Sequence, residues 1–163
     1  MVESPSSGGS PPLRLVCFEL RQQELALAIA DVRETLPLLP ITHVFLTPPW
    51  LAGIFSLRGE IVPAIDLGVL LGLPRTAVGD DARIVVVERG ARVAGILVER
   101  LRELRTIDEA AVEAPPAGLP GEVAAILRGV VATPDGTVRV LDLDALLSSE
   151  RLGALAREES QPA

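Results

Sequence analysis

Few residues in this chain could do chemistry, and their types exclude most of it. There is no lysine, asparagine or tyrosine, and all fifteen basic side chains are arginine. Without lysine, Schiff-base chemistry and the lysine-bearing phosphate loop are excluded. The single histidine, His43, lies in a loop flanked by prolines, and the single cysteine, Cys17, lies in an apolar run. A nucleophilic relay would have to join Ser56 or Cys17 to His43. No G-x-S-x-G elbow surrounds Ser56, and Cys17 reads as a small buried hydrophobe. One loop histidine without clustered ligands makes a poor metal site. Asp66 and Asp142 remain as a conceivable carboxylate pair for hydrolysis. Each stands where a strand pattern meets a helical one, so helix capping accounts for them more simply. Neither catalysis, a cofactor nor a metal is predicted.

Composition narrows the partners. A net charge of −7 and a pI near 4.8 disfavour nucleic acid, whose binding needs a basic surface, and equally disfavour anionic membranes. No apolar run approaches the length of a membrane span, and the polar start lacks a signal-peptide pattern, so a cytoplasmic protein without direct membrane insertion is expected. Apolar residues make up 48% of the 163, but only Trp50, Phe18, Phe45 and Phe55 are aromatic, so the core must be built from Leu, Val, Ile and Ala.

The elements that would position these residues are mostly strands. Leu13–Leu20 and Glu24–Ala30 read as a hairpin, as do Arg83–Glu88 with Ala91–Val98, and Val123–Ala132 with Thr137–Leu141 across Pro134-Asp135-Gly136. Asp31–Leu36 is ambiguous between a helical turn and a short strand. Pro37, Pro40, Pro48 and Pro49 hold residues 37–50 as a constrained loop. Trp50–Phe55 leads into Leu57-Arg58-Gly59, a tight turn feeding the run Glu60–Leu67. Pro63 within that run places its missing N–H at an edge or bulge. Residues 1–12 are expected to be a disordered tail, 13–150 the folded domain, and 151–163 a frayed helix end.

The chain also repeats itself. Leu-Arg-Gly, then a strand, then D-L-x-x-L-L occurs at Leu57–Leu71 and again at Leu127–Leu147, with six extra residues in the second copy. Arg33-Glu34 and Arg102-Glu103 follow similar paired apolar runs. The predicted architecture is mainly β, with two similar barrel-like lobes.

Glu34 after Asp31-Val32-Arg33, then Thr47-Pro48 and Trp50-Leu51-Ala52-Gly53-Ile54, then Leu57-Arg58-Gly59-x-Ile61-Val62-Pro63-x-Ile65-Asp66-Leu67, resembles the CheW-like chemotaxis coupling proteins. Val93-x-Gly95-Ile96-Leu97-Val98, Ile126-x-x-Gly129 and Val140-Leu141-Asp142-Leu143 continue the likeness, which covers about residues 13–150. The resemblance implies two five-stranded SH3-like barrels around a shared hydrophobic core, with short helices. It implies a non-catalytic adaptor joining the cytoplasmic tip of chemoreceptors to the regulatory domain of a CheA-type histidine kinase in membrane-associated arrays. It also implies interaction residues Val32, Glu34, Gly53, Leu57, Arg58 and Gly59, with Arg58 held by Glu34. Ser56 departs from the family's usual asparagine before Leu-Arg-Gly. A second class of reading is a β-barrel module binding a ligand or peptide, or a carboxylate hydrolase using Asp66, Asp142 and His43.

Overall fold

Ile84, Val85, Val86 and Val87 are all fully buried, although successive residues of a strand point to opposite faces. Each face must therefore meet a core of its own. Val85 and Val87 join a large central cluster with Phe18, Leu25, Leu27, Ile96, Leu141 and Leu146. Ile84 and Val86 join a smaller one with Phe55, Leu57, Val62 and Leu97. A third cluster gathers Leu15, Cys17, Ala26, Val131, Val138 and Val140. At roughly 1.5–3 kcal/mol for each large side chain fully buried, the central cluster dominates the hydrophobic stabilisation.

A computed structural model describes residues 11–148. Its first half carries β1 (Pro12–Leu20), β2 (Gln23–Ala28), a 3-10 turn (Ile29–Asp31), β3 (Val32–Pro37), β4 (Leu51–Leu57), β5 (Glu60–Asp66) and α1 (Leu67–Leu70). The second half carries β6 (Arg83–Arg89), β7 (Arg92–Val98), β8 (Arg100–Asp108), a 3-10 turn (Glu109–Ala111), α2 (Gly121–Ala125), β9 (Leu127–Thr133), β10 (Gly136–Leu141) and α3 (Leu143–Ser148). One sheet has the order β8-β1-β2-β10-β9 and the other β3-β6-β7-β5-β4. Both are mixed: β10 runs parallel to β2, and β5 parallel to β7.

The two sheets are not the two halves of the chain. Each takes one hairpin from one half and three strands from the other, because the chain crosses between sheets after β2 and again after β7. Both crossings are pinned by an arginine near the opposite hairpin tip. Arg89 reaches Asp31 at 2.7 Å after β2, and Arg21 lies 3.8 Å from Glu99 after β7.

The expectation of two SH3-like barrels is corrected by this topology. Neither sheet closes: β3 and β4 are the free edges of one, β8 and β9 of the other, and no ladder joins them among the described residues. Each gap is spanned by a single bridge. Thr42 exchanges N–H···O bonds of 2.8 and 2.9 Å with Ile54, and Glu113 exchanges two of 2.8 Å with Val130. Prolines lacking N–H groups lie on one side of each bridge, at 37 and 40 before Thr42 and at 115 and 116 after Glu113, and oppose extension into a ladder strand in that direction. The shared core and the short helices are present; closure is not.

Smaller expectations also resolve. Asp31–Leu36 is mainly strand, and Val123 to Ala125 lie in α2 rather than in a hairpin arm. Strand β8 has no counterpart in the sequence reading. Pro63 precedes the point, Ala64, at which β5 begins to pair with β7, so its missing N–H lies on a stretch with one neighbour. Strand β1 already begins at Pro12; residues 1–10 of the expected tail, and the expected continuation past Ser148, lie outside the described residues.

Candidate partner-binding surface

Pairing of Leu57 with Glu60 leaves a two-residue hairpin loop, Arg58-Gly59. Both have left-handed backbone, φ 49° and 87°, as a type I′ turn requires. Glycine adopts this freely, whereas arginine does so at a penalty of about 1 kcal/mol. The turn throws the Arg58 side chain across the open mouth of the sheet onto β3. There Nη1 and Nη2 donate to Oε2 and Oε1 of Glu34 at 2.7 and 2.6 Å. This bidentate geometry fixes the guanidinium plane as well as its position.

The pair also polarises its members. Glu34 is held below the usual carboxylate range, chiefly by the hydrogen bond from Arg58, and Arg58 is raised reciprocally by that bond. Arg33 extends the network, 3.5 Å from Glu60, 3.9 Å from Glu34 and 4.0 Å from Glu88. Glu34 is largely covered while 61% of the Arg58 side chain stays exposed. An exposed ion pair contributes little to stability, because water screens it. Its consequence here is orientation: an arginine held flat, with the outer face of its guanidinium available.

The structure brings together only part of the set expected from sequence. Glu34, Arg58 and Gly59 form one feature, with Leu57 beneath it in the smaller core. Val32 begins β3 and packs, half-buried, on the central cluster. Gly53 stands apart, about 16 Å back along β4 at roughly 3.3 Å per residue. A Cβ there would lie well inside contact distance of the Thr42 carbonyl, so Gly53 serves the bridge rather than the ion pair. Ser56 is exposed and faces the exposed Ile61 across the hairpin.

Asp66 and Asp142 are committed to capping. Oδ1 of Asp66 accepts from Val69 N at 3.2 Å and from the Thr76 hydroxyl at 2.7 Å, and its Oδ2 accepts from Thr76 N at 3.1 Å. Asp142 accepts from Ala145 N at 3.0 Å. His43 is exposed and stacks edge-on against Phe45, with ring centroids 5.7 Å apart. The sequence reading missed Arg105 of β8. Its guanidinium donates to Glu24 at 2.9 and 3.2 Å and lies 3.8 Å from Asp135. Three arginines, at 100, 102 and 105, interspersed with Leu101, Leu104 and Ile107 are the signal that could have revealed this strand.

A family model described as the CheW-like domain matches residues 14–151. This chain belongs to the CheW-like family. It is similar to the chemotaxis protein CheW of Bacillus subtilis (strain 168), at 24% identity over 137 residues, covering 84% of this chain and 88% of that protein. It is also similar to protein FrzA of Myxococcus xanthus, at 31% identity over 150 residues, covering 90% and 92%. Among solved structures, the scaffolding protein TtCheW from Thermoanaerobacter tengcongensis superposes with a TM-score of 0.77 at 30% identity, covering 91% of this chain and 96% of that one. As a CheW-like protein, the chain is a non-catalytic adaptor that couples chemoreceptors to a CheA-type kinase. The hydrolase and ligand-module readings give way to this one.

Proposed function

We propose that Arg58, oriented by Glu34, is the receptor contact of this adaptor, and that a separate surface engages the regulatory domain of the kinase. The observation that carries the reading is the exposed arginine held bidentately on a strained turn. Folding alone gains little from such a pair, whereas recognition of a polar helical surface uses a fixed planar donor well. Val32, Leu57 and Gly59 support the site by packing and turn geometry, and Gly53 supports the strand that carries it. The partner is the cytoplasmic tip of a chemoreceptor, so the protein works in the cytoplasm and is recruited to membrane-associated arrays. Signal passes through the populations and geometry of the assembled complex, with no bond made or broken.

Co-sedimentation with a receptor cytoplasmic fragment tests the reading. Arg58→Ala is expected to bind at least tenfold more weakly with an unchanged melting curve, and Arg58→Lys, which keeps charge but loses the planar donor, to fall between. Receptor binding equal to wild type in Arg58→Ala would remove the proposal.

A further inference from the structure

The loop between β3 and β4 presents a second surface of opposite character. No Asp, Glu, Lys or Arg occurs between Glu34 and Arg58, although 23% of the chain is charged. At the tip of this neutral stretch Phe45 is 83% exposed and Leu46 fully so. Leu46 also has φ 63°, a left-handed conformation that bulky L-residues avoid. Folding would favour glycine or asparagine at such a position, and water would favour a polar side chain. Leucine satisfies neither demand. The tip is nevertheless built rigidly: Thr47 donates its hydroxyl to the Val44 carbonyl at 2.7 Å, Leu51 N bonds Pro48 O at 3.0 Å, and the Thr42–Ile54 bridge anchors the base. Two apolar side chains are thus held out on a braced support, with little ordering left to do on binding.

We propose that Phe45 and Leu46 form the kinase contact of this adaptor, inserting into an uncharged apolar recess on the regulatory domain of the CheA-type kinase. The inference rests on the adaptor reading, which requires a second surface separate from Arg58. Strand β4 runs from the base of this loop to Arg58, so the two features stand at its opposite ends, about 20 Å apart at roughly 3.3 Å per residue. The convex tip calls for a concave seat, and its neutrality calls for an uncharged one. A net charge of −7 opposes an anionic membrane as occupant. Two recesses on this chain's own surface, one bordered by Glu24, Asp135 and Arg139 and one by Asp81, Arg83, Arg100 and Leu101, carry charged rims, which disfavours a second copy as the seat.

The test measures binding of the full chain to the purified kinase regulatory domain and, separately, to a receptor fragment. Leu46→Asn suits the left-handed backbone, so it should melt no lower than wild type while weakening kinase binding; Phe45→Ser combined with it should weaken that binding at least about tenfold. Receptor binding should be unchanged in both, and kinase binding of the wild type should vary little with salt. Kinase affinity unaltered in the double variant overturns the proposal while leaving the adaptor reading intact. So does loss of receptor binding in its place, or a wild-type dimer that the double variant dissolves. A wild-type chain that binds receptor but no kinase removes both.

Discussion

The β4–β5 and β9–β10 hairpins occupy the same place in their respective sheets, and the comparison separates what folding needs from what it does not. Thirteen positions divide Gly53 from Asp66, and thirteen divide Gly129 from Asp142. In both hairpins the glycine faces a carbonyl of the bridging segment, Thr42 or Glu113, and the aspartate caps a helix. These features appear twice because both sheets require them. The turns differ. Arg58-Gly59 sends an exposed arginine to Glu34, whereas the equivalent positions are Pro134-Asp135, and Asp135 approaches Arg105 of β8 with the charges reversed. Arg105 is mostly covered and also grips Glu24. One pair links the two free edges of an open sheet through a covered arginine; the other leaves its cation facing out.

If the shared features are structural, their removal should be costly in both sheets. Gly53→Val and Gly129→Val are each expected to lose about 3 kcal/mol or more, since the bridging carbonyl belongs to backbone and cannot swing aside. Urea denaturation of the two variants checks this. A severe loss at one glycine with a mild loss at the other would break the equivalence.

The caps should separate by degree. Asp66 is buried and accepts from Val69 N and from both the N–H and the hydroxyl of Thr76, so Asp66→Ala is expected to cost about 2–3 kcal/mol. Half-buried Asp142 accepts from Ala145 N, and Asp142→Ala should cost about 1 kcal/mol. Thr76→Val tests the distinction: it should remove much of the difference between the two sites.

The sequence made the internal duplication visible but aligned it on the wrong triplet. Leu57-Arg58-Gly59 is a hairpin turn, while Leu127-Arg128-Gly129 begins a strand, so the six apparent extra residues reflect that mismatch and not an insertion. Side-chain patterning could show that both D-L-x-x-L-L segments cap a helix, because capping is local. Which strand neighbours which is not local, and the exchange of hairpins between sheets left no trace in periodicity. Strand β8 escaped for a related reason. Its charged, half-exposed residues lie on a sheet edge, where the apolar alternation that marks a strand is diluted. The Arg58–Glu34 pair was anticipated through the family resemblance, since nothing in the spacing of 24 residues brings the two together.

Acid should act on the two sheets unequally. Burial pushes the Glu24 carboxyl up, but the hydrogen bond and charge of Arg105 outweigh it and leave the group below its ordinary value of 4.5. A carboxylate depressed by folding contributes stability that is present above the unfolded pKa and lost as pH falls through the folded one. The chain should therefore lose part of its stability below about pH 4.5, and Glu24→Gln should flatten that part of the profile. Chemical denaturation at stepped pH gives the slopes; equal slopes in the two proteins would show that Arg105 does not hold the sheet.

The smallest effect on stability is expected where the proposed function is greatest. Arg58 and Glu34 also form a depressed carboxylate and its partner, yet the arginine is exposed and the interaction is screened by water. Arg58→Ala should leave the denaturation midpoint unchanged, whereas Arg105→Ala should lower it, because the substitution leaves covered Glu24 without its guanidinium partner. Raising the salt concentration should weaken receptor binding through Arg58 well before it shifts the melting curve. Equal losses of stability in the two arginine variants would mean that the β4–β5 turn fastens the edges of its sheet just as its counterpart does. Arg58 would then have no claim to be a binding residue beyond its exposure.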